Sequence, residues 1–263
     1  MNFLSVVIIT LNEERNIGRC IDSVKTVADE IIILDSFSTD RTVEIAIGKG
    51  AIVKQQTFSR YVEQKNRALQ LATHDYVLSL DADEALSNEL AASVLKAKQH
   101  FRFGGYTMKR SNFFCDRFIR HGLWYPDRKL RLFNKQFAQW GGYDPHDKVI
   151  LDENIAVKQL DGDLLHYAYY SMEAYLQKNE KVSAIAARSL YENGIKKHWL
   201  KLYFSPAWEF LNGYILRLGF LDGHAGFIIA VHSANQSFLK HQLLQRLQKQ
   251  SETNIAWNNI TVK

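Results

Sequence analysis

Apolar positions in the first hundred residues follow two alternating rhythms. Short runs, SVVIIT (5–10), EIIILDS (30–36), AIVKQ (51–55) and YVLSL (76–80), have the length and density of buried strands. Between them the spacing turns helical. Ile17, Cys20, Ile21 and Val24 form one stripe in EERNIGRCIDSV, and STDRTVEIAIGKG reads as a capped helix ending at Gly48 or Gly50. YVEQKNRALQLA (61–72) is a third helix, and SNELAASVLKAKQH (87–100) a fourth with Ser87 as its cap. Near-continuous apolar strands alternating with amphipathic helices predict an α/β fold. Its sheet is mostly parallel, Rossmann-like, and covered by helices.

From about residue 103 the pattern changes. GGYTMKRSNFF, RKLRLFNK and ENIAVKQL look like strands of a mixed region rich in arginine and aromatics. From 171 onward SMEAYLQKNEKVSAIAARSLYENG reads as a long helix, followed by amphipathic helices broken at Pro206, Gly219 and Gly223. The pattern therefore predicts a catalytic domain over 1–170, a helical extension over 171–250 and a loose tail over 251–263. The N-terminus has no basic region ahead of its strand-length apolar run, so no signal peptide is expected. No apolar stretch reaches the roughly 18 residues of a spanning helix, so none is expected to cross a bilayer.

Composition sharpens this picture at two points. The 263 residues are 46% apolar and 23% charged, as in soluble globular chains. The net charge of +5 is uneven: residues 101–135 carry 9 Lys/Arg against 2 Asp/Glu, and 181–250 carry 9 against 3. Such basic stretches interleaved with aromatics suit anionic lipid or a phosphorylated substrate. No RNA-binding signature or helix-turn-helix pattern is present, and no nucleic-acid partner is expected. Cys20 and Cys115 match neither a metal spacing nor a disulfide framework, which fits a reducing cytoplasm.

The chemistry concentrates where an open parallel sheet binds ligands, outside the carboxyl ends of its strands. Three polar clusters fall there: Thr10, Asn12 and Glu13; Asp35, Ser36 and Asp40; Asp81, Asp83 and Glu84. The turn TLNEERN contains no glycine, which excludes a dinucleotide fingerprint, and no Gly-Lys-Ser/Thr loop exists. A nucleotide's diphosphate would then need other neutralisation. A divalent cation, Mg²⁺ or Mn²⁺, held by Asp81 and Asp83 would supply it. An acid/base pair and an ordinary capped turn are the competing readings of the Asp-x-Asp.

SVVIITLNEE, IIILDSFSTDRT and QKNRALQLATHDYVLSLDADE, in this order and spacing, resemble the nucleotide-binding half of family 2 glycosyltransferases with the GT-A fold. WYPDRKLRLFNK, a PHDKV segment and LRLGFLDGHAGF resemble a narrower group, the bacterial β-1,4-glucosyltransferases of lipopolysaccharide core assembly. The resemblance implies a nucleotide-binding half over 1–100 and an acceptor half over 101–170. It implies inverting transfer of a hexose, glucose from UDP-glucose, to an inner-core heptose or a similar glycolipid acceptor.

Residue by residue, the resemblance implies that Asp35 hydrogen-bonds the donor base, with Thr10, Asn12 and Glu13 beside base and ribose. Lys65 would lie near the nucleotide. Asp81 would approach the ribose or a metal-bound water, and Asp83 would ligate the metal. His166 is a candidate third ligand, and Asp147 the base, with Asp144 as the alternative carboxylate. Related enzymes carry His-Glu where this chain has His146–Asp147, so its acid is shorter.

Arg128, Lys129 and Arg131 alternate with leucines, a strand face that could meet acceptor phosphates, with Trp124 and Tyr125 placed to stack on a sugar. The competing readings are a solvated strand face and plain packing. The C-terminal aromatics, with Lys196, Lys197, Lys201 and Arg217, suit a helix lying on an anionic inner-membrane surface, so a peripheral position on the cytoplasmic face is expected. Two other classes compete: a sugar-phosphate nucleotidyltransferase and a non-enzymatic membrane-docking adaptor on the same scaffold. The first lacks its glycine-rich signature.

Overall fold

A computed structural model describes residues 2–143, 146–192, 194–195 and 199–260. The chain divides into two compact units, 1–112 with 126–168, and 113–125 with 169–263. The second unit thus takes in 113–125, a segment that the sequence reading assigns to the acceptor half.

In the first unit β1 (Leu4–Thr10), β2 (Glu30–Asp35), β3 (Ile52–Gln55) and β4 (Tyr76–Asp81) run parallel in the order β3-β2-β1-β4. β1 shows why both faces are covered. Leu4, Val6 and Ile8 pack into one buried cluster with Ile17, Cys20, Ile21 and Val24 of α1 (Ile17–Val24). Val7 belongs to a second cluster with Ala68 and Leu69 of α3 (Tyr61–Leu71). The period-two alternation of a strand sends successive side chains to opposite layers. α2 (Thr42–Gly48) and α4 (Asn88–Gln99) complete the helices, and Ser87 Oγ accepts the Leu90 amide at 3.1 Å as the cap of α4. Such a cap stabilises a helix by about 1 kcal/mol.

Beyond β4 the sheet becomes antiparallel. β8 (Asp127–Asn134) pairs with β4 and with β6 (Gly105–Phe114), while β11 (Val157–Tyr169) pairs with β5 (Glu84–Leu86). β9 (Ala138–Tyr143) and β10 (His146–Leu151) form a separate hairpin. The result is a GT-A type mixed sheet, parallel where sequence alternates strand and helix and antiparallel where it does not.

The second unit contains β7 (Arg117–Phe118), the short turn Gly122–Trp124, and the helices α5 (Met172–Glu192), α6 (Trp199–Phe210) and α7 (Gly223–Ile260). The expected break at Pro206 is absent: α6 continues through it, and the helix widens only at a π-helical turn, Leu211–Leu216. Proline removes one backbone donor, and here the departure from α geometry follows one turn later. The tail expected from residue 251 extends α7 to Ile260.

Candidate active site

Strand register brings the three polar clusters together. Ile9 is opposite Asp81 and Thr10 opposite Asp35, so the exits of β1, β2 and β4 stand side by side. Asp35 is fully buried, and its Oδ2 accepts the Ser38 amide at 3.0 Å and Gln55 Nε2 at 2.9 Å. It therefore secures the turn after β2. Asn12 adopts a left-handed φ of 53° and accepts the Thr39 amide at 2.8 Å, tying the first loop to the second. Asp40 accepts the Thr42 and Glu14 amides, the helix-start role that its position suggests. Thr10 Oγ1 is buried with no hydrogen-bond partner among the described residues. Burial pushes the Glu13 carboxyl up, and the charges of Asp83 and Asp40 add to this against a bond from Asn16.

Asp81 is engaged by two cations. Lys65 Nζ stands 2.9 Å from its Oδ1, and Arg131 Nη2 donates to its Oδ2 at 2.7 Å. Burial alone would raise the Asp81 pKa, but the charges and hydrogen bonds of Lys65 and Arg131 hold it well below the ordinary carboxylate range. Lys65 also donates to Asp147 Oδ2 at 2.7 Å, so one buried ammonium joins the exit of β4 to the β9–β10 hairpin. Lys65 lies on a buried helix face.

Arg131 corrects the reading of a basic outer face on β8. Between Tyr106 and Thr107 the register to β8 jumps from Leu132 to Leu130, leaving Arg131 as the unopposed residue of a β-bulge. A bulge re-aims the side chain it carries. Arg131 is buried and spends Nη2 on Asp81 and on buried Glu84, each at 2.7 Å, so it does not offer itself to an acceptor phosphate. Burial disfavours its charge, yet Glu84 and Asp81 drive its pKa above its already high value. Arg128 remains exposed and donates to Gln159 at 2.8 Å.

Sequence reasoning missed Trp140 and Asn66. The Lys65 ammonium lies 4.4 Å from the centroid of the buried Trp140 ring, and the Arg131 guanidinium 5.3 Å from it. Cation–π contacts of this kind contribute about 0.5–2 kcal/mol each. Asn66 donates to Trp140 O and accepts from Trp140 N, both at 2.9 Å, and so clamps β9 to α3. Asn66 lies within the quoted QKNRA motif, whereas nothing local marks Trp140 as its partner.

Asp83 is built differently. His166, opposite Glu84 in the β11–β5 ladder, brings Nε2 within 3.1 Å of Asp83 Oδ2. Its Nδ1 stands 2.6 Å from Asn112 Oδ1, which orients the imidazole. One carboxylate oxygen and one imidazole nitrogen, steadied by an outer amide, fit a Mg²⁺ or Mn²⁺ site that keeps positions open for ligand oxygens. Among the described residues no group of three or more His, Cys, Asp or Glu side chains gathers in metal-holding geometry. The expected three-residue set thus reduces to Asp83 and His166, because Asp81 is engaged by two cations.

Trp124 belongs to the second unit. Its ring lies 5.7 Å from Phe114 and 5.5 Å from both Tyr169 and Tyr175, within an aromatic cluster, so packing accounts for it. Asp144, Lys196 and Lys197 lie outside the described residues.

A mixed sheet with Asp-x-Asp at the exit of its fourth strand, and with the acidic hairpin drawn to it, defines a GT-A glycosyltransferase. Residues 5–154 match the family described as Glycosyl transferase family 2. The chain is 33% identical to an uncharacterized glycosyltransferase of Rickettsia typhi, over 98% of this chain and 92% of that one. It is 32% identical to the lipopolysaccharide core biosynthesis glycosyltransferase LpsC of Rhizobium meliloti, over 90% and 89%. A crystal structure of glucosyl-3-phosphoglycerate synthase from Mycobacterium tuberculosis, in complex with Mn²⁺ and UDP among others, is 29% identical. It covers 43% of this chain and 44% of that one with a TM-score of 0.33. The chain belongs to glycosyl transferase family 2, and its activity is glycosyl transfer from a nucleotide-sugar donor.

Proposed function

We propose that the enzyme moves glucose from UDP-glucose, with inversion, to an inner-core heptose of lipopolysaccharide or a similar glycolipid. The carrying observation is the meeting of Asp147 with Lys65 and Asp81, across 82 residues of sequence, at the carboxyl ends of the central strands. A carboxylate held there can take the acceptor hydroxyl proton while the anomeric carbon is attacked from the face opposite the leaving group. Such a base contributes about 10²–10⁴-fold. The name of the Rhizobium relative supports a lipopolysaccharide core acceptor, and the motif resemblance supports glucose.

Asp83 and His166 would hold Mg²⁺ or Mn²⁺, whose chemistry is to offset the negative charge that develops on the departing diphosphate. Thr10, Asn12, Glu13 and Asp35 would line the base and ribose, with Asp35 holding the loop that closes them in. Asp81 would act through Lys65 and Arg131 as a fixed counter-charge. A carboxylate so engaged is a poor nucleophile. The reaction would run at the cytoplasmic face of the inner membrane, where a soluble nucleotide-sugar meets a lipid-linked acceptor.

The test is a thermal-shift panel of UDP-, GDP-, ADP- and TDP-sugars with and without Mn²⁺, followed by transfer to a heptose-terminated core acceptor. A ligand that binds only the native state raises the melting temperature. UDP-glucose with Mn²⁺ should give the largest shift, and the product linkage should be β by NMR. An equal shift from another nucleotide-sugar, or an α product, overturns the reading.

A further inference from the structure

Exposed large apolar side chains are not spread evenly over the described residues: eleven of twenty-four fall between Tyr203 and Val231. Phe204, Trp208, Leu211 and Ile215 recur at spacings of 4, 3 and 4 and form one exposed stripe along α6 and the π-helical turn. Leu218 and Leu221 continue it round the bend, where the segments 201–216 and 219–249 meet at 71°. On α7 the exposed positions Phe227 and Val231 carry it further, until Asn235 ends it. No single described helix is long and apolar enough to cross a membrane.

The backbone of the bend is closed on itself. Arg217 N donates to Asn212 O at 2.8 Å, Leu218 N to Ile215 O at 3.1 Å and Leu221 N to Leu218 O at 2.9 Å, while Arg217 O accepts from Gly122 N at 2.9 Å. A solvated loop has no need of this, since water would satisfy such groups; hydrocarbon would not. The turns also lie too close for side chains. A Cβ on Gly219 would stand 2.6 Å from Gly213 O, and one on Gly226 would stand 1.9 Å from Gly219 O.

Charge is sparse here. Between Lys201 and Lys240 the charged residues are Glu209, Arg217 and Asp222. Asp222 is spent within its own unit on the Arg120 and His121 amides and the His121 ring. The opposite end of the helix pair is basic. Burial and then the charges of Lys240 and Lys201 push the His241 pKa down, so both arms carry their cations at the base. An apolar bend and a basic base match the two depths of an anionic bilayer.

We infer that residues 203–231 form a re-entrant wedge that enters one leaflet bend-first and does not cross, with Lys201 and Lys240 left at the anionic headgroups. α6 spans roughly 18 Å at 1.5 Å per residue, enough for immersion of about 5–10 Å with its base in the headgroups. This deepens the membrane-surface reading above and is independent of the sugar chemistry.

The test uses the full chain with phosphatidylcholine vesicles, with and without 30% phosphatidylglycerol. Flotation should require the anionic lipid, and acyl-chain-brominated lipid should quench tryptophan emission in the wild type more than in Trp208→Phe. The double variant Ile215→Asp/Leu221→Asp should lose at least tenfold in vesicle binding while keeping its hydrolysis of the donor in solution. Flotation that 0.5 M NaCl abolishes, with no difference in quenching, would mean surface docking only and would overturn the wedge. No flotation would overturn both membrane readings and leave the glycosyl transfer proposal standing. A dimer in light scattering that the double variant abolishes would mean that a second copy covers the stripe, and would likewise overturn it.

Discussion

Within one compact unit, the exit of β4 and the turn into β5 hold carboxylates two residues apart in opposite settings. Asp81 faces Lys65 and Arg131, which in turn hold Asp147 and Glu84, so every charge there has a counter-charge. Arg110 extends the chain from Glu84 to Asp127. Asp83 meets the His166 imidazole, which an amide orients. The first setting is a frame, because removing one member strips a counter-charge from each of its neighbours. The second is an exchangeable contact in which a cation can replace the Asp83–His166 hydrogen bond. The Asp-x-Asp spacing conceals this division of labour, since alternate residues about a strand exit need not share surroundings.

Four measurements break or sharpen the contrast. The largest effect is expected at the junction of the frame with catalysis: Asp147→Asn should lower kcat about 10²–10⁴-fold in single-turnover transfer, with little change in donor binding. A loss under tenfold would make Asp147 part of the frame alone. Next, Arg131→Leu should cost about 3–5 kcal/mol in urea unfolding, because Asp81 and buried Glu84 each lose a counter-charge at 2.7 Å, Asp81 retaining Lys65 and Glu84 the more distant Arg110. A cost below 1 kcal/mol would show that the buried lattice is not the frame.

On the other side of the contrast, Asn112→Ala should weaken Mn²⁺ activation about 10–100-fold while leaving urea stability near wild type. An unchanged Mn²⁺ dependence would remove His166 from metal binding. The smallest effect is in pH. Because the folded-state pKa of Asp81 is depressed, its contribution is present above the unfolded carboxylate value of ~3.9 and is lost as pH falls below it. Asp81→Asn should therefore flatten the decline of the urea midpoint between pH 5 and pH 3. An unaltered decline would assign acid sensitivity to other carboxylates.

The parallel half of the sheet was legible because its information is local. A run such as SVVIIT has to be buried on both faces, and Ile17, Cys20, Ile21 and Val24 have to face one side of a helix. The same rules failed at β8. Alternation in RKLRL predicts one basic face, but the bulge that turns Arg131 inward depends on how β8 pairs with β6, some twenty residues away in sequence. For a related reason two readings of Trp124 stay open in the sequence: an aromatic able to stack on a sugar looks the same there as one that fills an aromatic cluster.

The sequence by itself determined the order of strands and helices, the polar exits of β1, β2 and β4, and the family to which they belong. Periods of 2 and 3.6 residues translate directly into burial. Only the tertiary structure decided which carboxylate meets which partner. Lys65 reaches Asp81 across 16 residues and Asp147 across 82, while Arg131 reaches Asp81 across 50. Coulomb energy depends on distance in space and on dielectric, neither of which is written in sequence separation.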